Sequence, residues 1–146
     1  MDERIAKLKT PADCLAFAKN ATRLGREDLV LETRQKSVEL RAAAYGAHSD
    51  AERECIEAIY AYEETLFAKH GRRQTAGRTW PMVKQHGVLE ATERTVNRKD
   101  ATTAFAALKE AGLERYAFEA VILRHPHLFS ESAVAISQER MDDAAS

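Results

Sequence analysis

Hydrophobic positions in this chain recur every three or four residues and nowhere alternate over a sustained run, the period of helices with one face against a core. The clearest stretch follows Ser49, where Cys55, Ile56, Ile59, Tyr60, Leu66 and Phe67 keep that spacing until Gly71. Ser49-Asp50-Ala51-Glu52 opens it as a capping box, in which the serine hydroxyl takes a free N–H of the first turn. Two long helices precede it. Thr10-Pro11-Ala12-Asp13 combines a capping hydroxyl, a proline at a position that needs no N–H, and an acid at the positive helix end; Gly25 stops that helix. The next runs from Arg26 to Tyr45 and closes at Gly46.

Beyond Gly71 the periodic segments shorten. Pro81 is tolerated only in an opening turn, which predicts a helix from Trp80 to His86 ended by Gly87. Val88, Leu89, Thr92 and Val96 predict another from Val88 to Arg98, and Asp100 caps a third to Ala111, followed by Gly112 with Leu108 and Leu113 as its apolar contact. Phe118, Val121 and Ile122 predict a helix from Glu114 to Arg124 that stops before Pro126, and Ser130 caps a last one from Glu131 to Met141. No Asn-Gly or Asp-Gly hairpin signal occurs. The pattern predicts an all-α fold with no sheet: an orthogonal or irregular helical bundle, one domain over 1–146, with three longer helices followed by four or five short ones. Residues 1–9 and 142–146 are expected to fray, and 71–78 to form a hinge-like, mobile loop between scaffold and cap.

Arg23-Leu24-Gly25-Arg26-Glu27-Asp28-Leu29 followed by Gln35-Lys36-Ser37-Val38-Glu39-Leu40 resembles the turn and second helix of a tetratricopeptide repeat. The resemblance covers about residues 12–40 and implies an antiparallel hairpin about a tight glycine turn. It does not extend to an array, because the position 34 residues after Gly25 falls within the continuous helix around Ile59 and Tyr60.

Composition narrows the class without naming a function. With 45% hydrophobic and 31% charged residues in 146, collagen-like, low-complexity and disulfide-scaffold proteins are excluded. Cys14 and Cys55 are too few for a disulfide framework and sit in apolar stripes, so both are read as free core thiols. No run of about 18 apolar residues and no leader-like start occurs, which predicts no membrane partner and a cytoplasmic location. The net charge of −1 points to neither nucleic acid nor an acidic lipid surface.

That neutral total hides a dipolar sequence. Asp50 to Glu64 holds six acids and one arginine, whereas Lys69, Arg72, Arg73, Arg78 and Lys84 lie in a stretch with no acid between Glu64 and Glu90, joined by His70 and His86. Thr79 is placed as the cap of the next helix, whose free N–H groups and dipole favour an anion, and Trp80 stands beside it. Arginine forks, a hydroxyl and a helix start form a set that contacts phosphates. Lys69, Arg72, Arg73, Arg78, Thr79, Lys84 and His86 are therefore the candidate nucleic-acid or phosphate contacts of a non-enzymatic binding module. The competing reading is an interaction or regulatory adaptor, in which the same basic loop docks an acidic protein or the 26–45 helix pairs with another chain. The basic residues can also close onto Glu63 and Glu64, and Trp80 is read as a core anchor.

Chemistry of other kinds lacks a signature. His125-Pro126-His127 offers two imidazoles but no third ligand, and there is no His-Glu-x-x-His, Cys-x-x-Cys, Gly-x-Ser-x-Gly or phosphate-loop motif. No catalytic residue, metal or cofactor is assigned, and the pattern leans away from an enzyme.

Overall fold

A computed structural model describes residues 1–145, of which those in nine α-helices and two short 3-10 turns make the chain 77% helical, with no strand among them. The helices are α1 (Glu3–Ala6), α2 (Pro11–Arg23), α3 (Glu27–Tyr45), α4 (Asp50–His70), α5 (Thr79–His86), α6 (Val88–Val96), α7 (Ala101–Glu110), α8 (Phe118–Arg124) and α9 (Glu131–Ala145). The all-α expectation stands, and most boundaries fall within a residue or two of the caps that predict them.

Caps explain the long helices. The Thr10 hydroxyl accepts the Asp13 N–H at 3.1 Å and the Ser49 hydroxyl accepts that of Glu52 at 3.2 Å. Gly25 adopts φ +71°, and Arg26 N donates back to the Ala21 carbonyl at 2.9 Å, so α2 and α3 fold on each other through the tight glycine turn the repeat-like motif implies.

α4 is the axis. It packs against α3, α6, α7 and α8, and its buried residues run around the helix rather than along one stripe, taking in Glu57, Glu63, Glu64 and Thr65 as well as Cys55, Ile56 and Ile59. One apolar cluster joins Val38 and Ala61 to Phe105, Leu108, Leu113 and Tyr116; another joins Ala42, Ile56 and Ile59 to Ala76, Val83 and Ala91. Cys14 and Cys55 are both buried and free, as read from their positions.

Three segments depart from the sequence reading. The 114–124 helix is broken: Glu114–Tyr116 is a 3-10 turn and Ala117 is extended (φ −58°, ψ 148°), which lets Tyr116 and Ala117 both enter the core. Within 1–9, expected to fray, α1 forms, capped by the Asp2 carboxylate, and its Ile5 is fully buried with Ala21, Leu29 and Val30. The last helix continues past Met141 to Ala145, where Met141 and Ala144 pack against the Phe105 cluster.

Candidate functional site

The basic segment is built on α4. Two N–H groups converge on one buried carboxylate oxygen: Ala76 N and Trp80 Nε1 donate to Glu63 Oε2 at 2.9 and 2.7 Å. Next to it the Arg73 guanidinium lies 3.2 Å from Glu64 Oε1 and 4.6 Å above the centre of the Phe67 ring. The 71–78 segment expected to be a mobile hinge is thus tied to α4 at two points, Arg73 and Ala76, with Trp80 of α5 as a third just beyond it, because buried carboxylates need donors and this stretch supplies them. Trp80 is half-buried, stacks on Tyr45 at 5.7 Å, meets Tyr60 at a tilt with ring centres 5.2 Å apart, and packs against the Ile56 and Ile59 cluster.

Thr79 does not cap α5. It is the first helical residue, Arg78 holds the cap position, and no side chain caps the helix. The N–H groups of Thr79 and Trp80 both donate to the Ala76 carbonyl, at 3.1 and 3.2 Å, which occupies two donors the sequence reading had assigned to an anion.

The remaining candidates divide. Arg78 pairs with Asp100 at 3.0 Å, an acid that also takes Arg98 at 3.0 Å and that makes no capping bond to α7. His86 Nδ1 lies 3.4 Å from Glu90. Lys69, Arg72 and Lys84 are exposed and make no ion pair among the described residues.

Lys69, Arg78 and Thr79 share a place that no motif in the sequence marks. They stand on the rim of a cleft of about 510 Å³ between the C-terminal half of α4, the 74–79 loop, the end of α6, and α7. Ile59, Leu66, Val96, Phe105, Leu108 and Phe118 give it an apolar wall. Lys69, Arg78 and Arg98 face one acid, Asp100, around the mouth, with Thr75 and Thr103 as hydroxyls. Deeper in, Glu119 is 3% exposed and answered by Arg140 of α9 at 2.8 Å. Arg98 and Glu119 were missed from sequence because each belongs to a helix read on its own; only the packing of α4, α7 and α8 brings them to one opening. Arg72, Arg73, Lys84 and His86 do not line this cleft.

Away from the cleft, His125 Nε2 sits 2.7 Å from Glu54 Oε2, and Arg124 Nε holds the other oxygen at 2.5 Å. Burial pushes the Glu54 carboxyl up, but the two hydrogen bonds outweigh it and leave it below its ordinary value. His127 is exposed on the Pro126–Leu128 turn, and the pair does not converge. No protein-family model, curated protein or solved structure matches the chain.

Proposed function

We propose that this chain is a non-enzymatic binding module that docks an acidic, amphipathic segment of a protein partner in the cleft between α4, the 74–79 loop and α7. The observation that carries the reading is the pairing of an apolar wall with a cationic mouth. Arg78 and Arg98 share the single acid Asp100 and Lys69 makes no ion pair among the described residues, so the mouth keeps a positive excess that a partner carboxylate can answer at Lys69 while its apolar side chains leave water against Leu66, Phe105 and Phe118. A volume of about 510 Å³ accepts a few anchoring side chains of a helix or turn, the helix-in-groove mode.

Nucleic-acid contact draws less support. Arg73 and Arg78 each already hold a carboxylate, the N–H groups of Thr79 and Trp80 have an internal acceptor, and the Trp80 ring is covered by Tyr45, stacked on it, and by Tyr60, tilted against it. Phosphate recognition would rest on Lys69, Arg72 and Lys84.

The test is fluorescence anisotropy at about 50 mM salt with labelled amphipathic peptides carrying Leu and Phe anchors and either Glu or Lys on the polar face, in parallel with single- and double-stranded oligonucleotides. The docking reading expects the Glu peptide alone to bind, with at least tenfold loss on Lys69→Glu. Oligonucleotide binding abolished by Arg72→Glu with Lys84→Glu, and no peptide binding, would replace it with the phosphate-binding reading.

A further inference from the structure

A second cavity, about 210 Å³, opens where α2, α3 and the C-terminal half of α4 meet, and it shares no lining residue with the cleft. Leu15, Ala18, Val30 and Phe67 make it largely apolar. Within it stands Ser37, 3% exposed, whose hydroxyl has no hydrogen-bond partner in the protein. A buried hydroxyl without a partner is destabilising, and native interiors seldom tolerate one. The neighbouring hydroxyls differ, since Thr22 and Thr33 donate to the carbonyls of Ala18 and Leu29 at 2.9 and 2.6 Å. Ser37 alone of the three has no acceptor within the protein.

Charge around the cavity has one sign in excess. Lys19, Arg34 and Arg73 line it against a single acid, Glu64, which Arg73 already holds. Lys19 and Arg34 make no ion pair among the described residues. Arg34 lies one turn before Ser37 on α3, so the two share a helix face, and both line the cavity beside its apolar residues.

We propose that this cavity is a binding site for a small organic carboxylate, its anionic head on Arg34 and the Ser37 hydroxyl and its apolar body against Leu15, Val30 and Phe67. Size supports the assignment: an apolar cavity of about 150 Å³ admits benzene, so this one holds a short aliphatic or single-ring acid. The proposal is independent of the partner-docking cleft.

The test uses hexanoate and benzoate, with hexanol and benzyl alcohol as uncharged counterparts, titrated by calorimetry and by amide NMR on the full chain. The carboxylates are expected to bind at least tenfold tighter than the alcohols and to shift the amides of Cys14, Arg34 and Ser37. Arg34→Gln should remove that preference. Ser37→Ala separates a ligand role from a structural one: it should weaken carboxylate binding about fivefold, the loss of one hydrogen bond to a charged group, while raising Tm by removing the orphaned hydroxyl. Equal affinity for acid and alcohol, shifts elsewhere in the chain, or unchanged binding by the Ser37→Ala protein would each overturn the assignment.

Discussion

Glu63 shows how one buried side chain organises a segment far from it in sequence. Its Oε2 accepts from the Ala76 amide and the Trp80 indole, so removing it strands two donors, each costing about 1–3 kcal/mol when buried without a partner. Glu63→Ala should therefore lower stability by about 2–4 kcal/mol in urea unfolding and release Trp80 fluorescence from its native environment; Glu63→Gln, which keeps one acceptor, should lose less. Glu54 supplies the pH dependence. Its carboxyl titrates below the ordinary 4.5 in the folded state, so the stability it contributes is present above that value and is lost as pH falls through the folded range. Glu54→Gln should cost about 1 kcal/mol at pH 7, because Arg124 is partly solvated, and the gap to the parent should narrow as pH falls below 4.5; a gap that is constant across the acid range would contradict the assignment. The sequence made visible only that the basic residues could close onto Glu63 and Glu64, by proximity along the chain. Arg73 does so at Glu64, whereas nothing in the spacing shows that an amide and an indole, rather than a guanidinium, answer Glu63.

At the scale of elements, local rules carried most boundaries and failed where tertiary contacts outbid them. Serine and threonine caps and glycine stops were legible because their hydrogen bonds close within four residues. Ala117 was not, since its extended backbone is set by Tyr116 and Ala117 entering the Val38 and Phe105 core, and Tyr116 reaches Glu39 at 3.1 Å across the molecule. Thr79 failed for a related reason: the turn at Ala76, fixed by Glu63, starts the helix one residue before the predicted cap frees its hydroxyl. Two glycine stops separate backbone from packing. Gly46 (φ +79°) and Gly112 (φ +75°) share the left-handed conformation, but a Cβ meets nothing within 4 Å at Gly46 and Leu31 Cδ2 at 3.1 Å at Gly112. Gly46→Ala should cost about 1 kcal/mol, the left-handed penalty alone, and Gly112→Ala about 1 kcal/mol more as Leu31 is displaced from the α7 core. Equal losses in thermal unfolding would mean that Leu31 yields freely.

Across the whole molecule, the fold class was readable from periodicity, while the cleft was not, because it exists only where four separate helices and a loop enclose a space. Its depth depends on the chain's last helix. Arg140, 14% exposed at its side chain, closes on Glu119, 4% exposed, and thereby fixes α9 over α8 while neutralising the one acid inside an otherwise apolar wall. Taking two charges from water costs several kcal/mol, and the pair repays it only while both partners remain. Arg140→Met should thus destabilise by about 3–5 kcal/mol, since Glu119 is left charged without an answer, whereas Arg140→Met combined with Glu119→Leu should recover most of that loss through apolar packing. The same double variant bears on docking. With the fold restored and the buried acid gone, a wall that serves only to receive apolar anchors should hold the acidic amphipathic peptide at least as tightly as the parent does, so weakened peptide binding in the stable double variant would assign Glu119 a direct contact with the partner.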